Sequence, residues 1–167
     1  MASCGSTSTE WKEVKSGEGG FSVMMPPNTV KSEKVEVTAF GKQKVHFITW
    51  KPSTFSIDKF KLFEVSYTTC PPSLVRDSMM VDFMLDSCIR MRKLDFTEKE
   101  GIAVQNIELN GYPGRAFFFD VPNASQIVIV KECITNGRKY DLTVIANKDQ
   151  GTNSEIARFF DSFQTLR

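Results

Sequence analysis

Polar and apolar residues alternate with a period of two through most of this chain, and the period lengthens to three or four in two places. A short apolar run between "GG" and "PP" predicts a first strand at 21–25. In "EKVEVTAF", Val35, Val37 and Ala39 point one way and Lys34, Glu36 and Thr38 the other, the pattern of a half-buried strand. "KVHFITW" and "FKLFEVSY" repeat the rhythm, linked by "KPSTFSIDK", and "CPPS" stops the last of them because proline donates nothing to a ladder. Residues 73–94 hold no Gly or Pro, and Val75, Met79 and Phe83 recur at helical steps. They predict a long helix capped by Ser73, with Arg90, Arg92 and Lys93 at the negative end of its dipole.

Four more strands follow: "IAVQNIEL", "GRAFFFDV", "SQIVIVKECIT" and "KYDLTVIA". Asn110-Gly111 and Asn136-Gly137 read as tight hairpin turns, since both residue types tolerate positive φ. Pro113-Gly114 suits an edge position or a bulge, with Arg115 as a surface charge beside it. The strand around "IVIV" is apolar on both faces and is expected to be central. Ile156, Phe159, Phe160, Phe163 and Leu166 form the stripe of a final helix, capped by Asn153 or Ser154. Strands, long helix, meander and final helix make an α+β protein with a central antiparallel sheet.

The chain has 167 residues, the size of one domain. Its net charge of +1 gives no electrostatic reason to expect nucleic acid or an anionic membrane surface as partner. Apolar runs such as "IVIV" are too short to span a bilayer. Fourteen Phe point to a phenylalanine-rich core.

Candidate chemistry is sparse. Cys4, Cys70, Cys88 and Cys133 show no CxxC spacing, which argues against a zinc or thioredoxin-like site. Cys88 lies ~22 Å along the predicted helix, against the ~7 Å a disulfide to Cys70 allows. Cys88–Cys133 stays open, and buried thiols are the expected state. His46, the single histidine, shares a strand face with Ile48 and Trp50, without a nucleophile motif around it. The methionines read as core filler rather than a soft copper site. "GEGG" at 17–20 lacks the lysine and helix of a phosphate cradle and reads as a flexible loop. No cofactor is expected. The segment "WKPSTFSIDKF" combines Trp50 and Phe55 with Lys51 and Lys59, a composition of binding surfaces. Arg115 joins Trp50, Lys51 and Phe55 as a binding-surface candidate.

Residues 1–18 read as a flexible tether and 19–167 as the domain. Ala2-Ser3-Cys4 resembles the end of a bacterial lipobox, which makes Cys4 a lipidation candidate. No charged n-region or apolar h-region stands before it, so lipidation requires a leader upstream of Ala2. A disordered cytoplasmic start is the alternative.

"GGFSVMMP", "FEVSYTTCPP" leading into a long helix, "ELNGYPGR", "NGRKYDLTV" and "ARFFDSF" together resemble a group of small bacterial envelope proteins of the PsbP-like fold, shared with the Ran-binding protein Mog. The resemblance spans residues ~11–167, a single-domain length. It implies a central antiparallel sheet flanked by helices, an α/β/α sandwich. Photosystem accessory subunits, envelope lipoproteins, a Ran-binding protein and secretion chaperones share that fold, so it does not name an activity. The expectation is a monomeric, non-catalytic binding or accessory domain in the periplasm or envelope, lipid-anchored, with another protein as partner and the lipid as its sole membrane contact. A small-ligand carrier or chaperone with an apolar groove between sheet and helix is the alternative, and a hydrolase ranks behind both.

Overall fold

A computed structural model describes residues 10–53, 59–95, 103–121 and 123–166, with backbone alone over 92–95. Among the described residues, ten strands and two α-helices follow one another. They are β1 (Lys12–Ser16), β2 (Phe21–Met25), β3 (Val30–Thr38), β4 (Gly41–Trp50), β5 (Phe60–Thr69), α1 (Ser78–Asp95), β6 (Ala103–Leu109), β7 (Tyr112–Asp120), β8 (Gln126–Thr135), β9 (Arg138–Asn147), α2 (Ser154–Asp161) and β10 (Gln164–Thr165). Seven strands form one antiparallel sheet in the order β3-β4-β5-β9-β8-β7-β6, and β1-β2-β10 form a second. The fold is α+β, with an antiparallel sheet at its centre.

The predicted turns organise the meander. Asn110 and Gly111 have φ of 54° and 80°, and Asn136 and Gly137 have 51° and 70°. Positive φ at both central residues is what a two-residue hairpin twisted like its strands requires. Leu109 therefore faces Tyr112, and Thr135 faces Arg138. At Gly114 β7 runs so close to β8 that a Cβ would fall well under 3.0 Å from the Glu132 carbonyl oxygen. No bulge lies there, because β6–β7 and β7–β8 pair without a register shift. The irregularity falls instead between Phe60 and Leu62 in β5. Pro113 pairs with Glu108 of β6 and stands outside the β7–β8 ladder, which begins at Gly114, so its missing N–H costs that ladder nothing.

One face of the large sheet carries Phe63, Val65 and Tyr67 of β5 beside Tyr140, Leu142 and Val144 of β9. Phe21, Val23 and Met25 of β2 and Ile156, Phe159, Phe160 and Phe163 in and after α2 close over them. The main cover on this face is thus a small sheet and an eight-residue helix, not helices alone as the expected sandwich has it. Trp11 and β1, expected in a flexible tether, belong to this layer. Trp11 is buried edge-on against Phe63, and β1 pairs with β2 along its length. "GEGG" is their turn rather than a loose loop: the Gly19 N–H donates to Ser16 Oγ at 2.9 Å, and its carbonyl accepts from Tyr140 Oη at 2.7 Å.

Helix α1 lies on the opposite face. It begins at Ser78 rather than Ser73, since Pro72–Leu74 form a 3₁₀ turn. Asp77 caps it by accepting the Met80 N–H at 2.9 Å. Its sheet-facing residues are Met84, Leu85, Cys88 and Ile89, while Met79 and Phe83 of the expected core stripe are 76% and 62% exposed. β3 departs in the same sense, with Val35 and Val37 exposed because β3 is the sheet edge. At α2 the expectation holds at the cap, where Asn153 accepts the Glu155 N–H at 2.9 Å, and the stripe is buried as far as Phe163. Leu166 is exposed.

Gly114→Ala forces β7 and β8 apart, an overpacking that costs about 3 kcal/mol. Urea unfolding should show the midpoint falling with an unchanged m-value; a loss within error of zero refutes the close approach.

Candidate functional site

The register carries a line of polar side chains across the sheet beneath α1. Asn106 of β6 faces Arg115, Arg115 faces Glu132, Glu132 faces Asp141, and Asp141 faces Ser66 of β5. Directly opposite residues share a face. Lys139, two residues before Asp141, joins the line: its Nζ pairs with Glu132 Oε2 at 3.0 Å and with Asp141 Oδ1. Glu132 is fully buried and Lys139 nearly so. Arg115 is buried as well. Its Nε donates to Asp86 Oδ1 at 3.0 Å, its Nη2 to Asp82 Oδ1 at 3.1 Å, and its Nη1 to the Gly114 carbonyl at 3.1 Å. Asp82 and Asp86 sit four apart on α1, one above the other.

Beyond these charges a polar floor continues across β9 and β5. Glu64, Ser66 and Thr68 of β5 and Lys139, Asp141 and Thr143 of β9 line a cleft of about 220 Å³. Its roof includes Cys88 and Met91 of α1, and its side wall is Glu36–Ala39 at the end of the β3–β4 hairpin. The tip of that hairpin is anchored by Phe40, buried with Cys70, Met84 and Leu85. Glu64 is oriented by Thr49, whose Oγ1 donates to Oε2 at 2.7 Å. Thr68 Oγ1 donates to the Lys44 carbonyl at 3.0 Å. The cleft therefore offers fixed carboxylates, an ammonium and hydroxyls in a concave, partly dry setting, where polar contacts are stronger than in open water. It is the groove between sheet and helix expected of a carrier, and its lining is mixed, with Val37, Val45, Phe47 and Met91 beside the polar floor.

Cys70, Cys88 and Cys133 are buried thiols. Burial pushes Cys70 up to about 12, partly opposed by Lys139, and burial with the Asp141 charge pushes Cys133 up to about 12. Burial also raises Tyr140, against the pull of Arg138. Thiols held neutral in this way do not act as nucleophiles near neutral pH.

A second hollow of about 330 Å³ surrounds His46. The ring stacks on Tyr67, with centroids 4.8 Å apart and planes 9° from parallel. Glu18 and Glu33 each approach one ring nitrogen at 3.7 Å.

The sequence candidates scatter over the molecule. Trp50 is half-buried with its ring 5.7 Å from that of Phe63, so much of its surface serves the core. Lys51 is exposed at the end of β4. Phe55 and Cys4 lie outside the described residues. Arg115, expected on the surface, is buried, because Asp82 and Asp86 come down over it. None of these residues lines the cleft. The cleft residues Lys139, Asp141 and Thr143 look in sequence like the water-facing half of an alternating strand. The one legible signal was Glu132, an acid inside the apolar run of a central strand, where a charge needs a buried partner.

The geometry defines the class: an α+β protein built on a seven-stranded antiparallel sheet. By sequence, no known protein family and no curated protein matches the chain. By structure, the chain is similar to cyanobacterial PsbP (CyanoP) from Synechocystis sp. PCC 6803, at a TM-score of 0.60 and 9% identity over 99% of both chains. The fold is PsbP-like.

Two measurements test this description. Asp82→Ala with Asp86→Ala strands a buried guanidinium and costs about 3 kcal/mol, whereas Arg115→Met leaves half-exposed carboxylates that water can serve and costs about 1–2 kcal/mol. Equal losses in chemical denaturation refute the asymmetry. The second concerns the thiols. Below the ordinary thiol value of 9.0 their contribution to stability is whole, and as pH rises from 9 toward 12 the unfolded chain loses protons that the folded chain keeps. Stability then falls by up to roughly 1.4 kcal/mol per pH unit for each thiol. The Cys70→Ala, Cys133→Ala double variant should show a shallower fall, and a slope identical to the parent overturns the assignment.

Proposed function

We propose that this chain is a non-catalytic binding or accessory domain that takes its partner on one face of the central sheet, at the cleft beneath α1. The observation that supports the reading is the cleft itself. Ser66, Thr68 and Lys139 are buried polar residues on the sheet floor, held in a concavity of about 220 Å³ beside the carboxylates of Glu64 and Asp141. Fixed polar groups at the bottom of a concave site set orientation and specificity for a ligand group. The partner is another protein, offering a polar or charged side chain to the cleft. The PsbP-like fold fits such a role, on the analogy of its accessory subunits and envelope members. In this reading the chain is a small lipoprotein-type member, lipidated at Cys4 and held at the cell envelope.

A second reading, a carrier of small ligands or a chaperone, draws on the apolar part of the same cleft, where Val37, Val45, Phe47 and Met91 stand beside the polar floor.

Ser66→Leu fills the floor of the cleft without touching the apolar core on the other side of β5. Pull-down from envelope extracts should recover a partner with the parent chain and lose at least most of it with this variant. If altering the 50–59 segment abolishes capture while Ser66→Leu preserves it, the cleft is not the site. Thermal stabilisation by a small compound in a ligand screen, with no protein recovered, selects the carrier reading.

A further inference from the structure

The open edge of the large sheet carries an inference independent of the cleft. β3 is the terminal strand, nine residues long, with every residue but the last exposed. It contains no proline, and its pairing with β4 runs from Val30 to Thr38 without a register shift. Val35 and Val37 are 60% and 75% exposed on one side of this edge. A long, regular edge without proline or bulge and with outward apolar side chains is a template for strand addition, and the charges it carries, Lys31, Glu33, Lys34 and Glu36, select which strand and register it accepts. From the exposed valines and the order of charges between them, we infer that β3 pairs antiparallel with β3 of a second copy of this chain, about a two-fold axis through Val35.

The register follows from geometry. A two-fold axis normal to the sheet keeps each face on its own side, so a residue pairs only with one an even number of positions away. An axis at Glu33, Lys34 or Glu36 sets like charges directly opposite one another, which is unfavourable. An axis at Ser32 leaves only residues 30–34 paired, and one at Val37 only 36–38. With Val35 on the axis, residues 32–38 pair. Lys34 then faces Glu36 of the second copy and Glu36 faces its Lys34, giving two opposite-charge pairs on one face. On the other face Val35 meets Val35, flanked by Val37 from each copy. Glu33, which faces that Val37, already has a cation in its own chain, Lys44 at 3.1 Å.

The result is a continuous sheet of fourteen strands, twice the seven of one chain. A seven-residue strand contact buries less than the ~1,200 Å² of a standard interface. The dimer is therefore weak and its population rises with concentration, in place of the monomer suggested by the sequence.

Sedimentation velocity over a dilution series tests it, with circular dichroism as the folding control, since all the altered side chains are exposed. The expected result is an average mass climbing from 18.9 kDa toward twice that value in the parent. Val35→Lys, which sets two ammoniums on the axis, should remain at the monomer mass throughout. Lys34→Glu should weaken association at least several-fold, and Lys34→Glu with Glu36→Lys should restore it. A parent that stays monomeric at the highest concentration reached overturns the inference. So does association that Val35→Lys leaves intact, or a double swap that restores nothing.

Discussion

Buried charge beneath α1 is the constraint on which the rest of this structure depends. Arg115, Glu132, Lys139 and Asp141 occupy one face of three adjacent strands, alternating in sign, in a place where an unpartnered charge would cost several kcal/mol. Each must therefore meet its complement. Lys139 does so within the sheet, and Arg115 reaches up to two carboxylates of the helix. Meeting that second demand fixes α1 in rotation and position. Once Asp82 and Asp86 are over Arg115, Leu85, Cys88 and Ile89 are turned into the core, while Met79 and Phe83 are left to water.

The stretch from Asn110 to Arg115 joins the layers. Its Asn-Gly turn sets the β6–β7 register, and the Asn110 side chain donates to the Phe163 carbonyl at 3.1 Å, behind α2. Four residues on, Gly114 lets β7 approach β8, and Arg115 holds α1 on the opposite face. A few residues thus touch both covers of the sheet, which gives this hairpin a structural role.

The molecule is asymmetric for function as well. One face of the sheet is apolar and covered over β5 and β9; the other is covered by α1 over β7 and β8 and opens into the cleft over β5 and β9. The buried Lys139 belongs to both settings, stabilising the charged line on one side and forming cleft floor on the other. The β3–β4 hairpin extends past the covered region and returns only at Phe40, so β3 remains an open edge. Cleft and edge are neighbours, because Glu36 and Val37 of β3 also wall the cleft.

The α+β class, the order of elements from β2 to α2, both Asn-Gly turns and the buried stripe of α2 were legible in the sequence, because each depends on local periodicity or on one residue's backbone preference. The strand at 21–25 and the Asn153 cap were legible for the same reason. What covers each face was not. Val35 and Val37 alternate as a buried strand does, and only their place at the edge of the sheet leaves them exposed. Met79 and Phe83 have the spacing of a core stripe, and only ion pairs from a strand 29 and 33 residues away turn them outward. Lys139, Asp141 and Thr143 read as a solvated face until α1 and the β3–β4 hairpin enclose them. Periodicity along a chain says which side chains share a face; the contacts between distant segments decide whether that face meets water, a helix or a cleft.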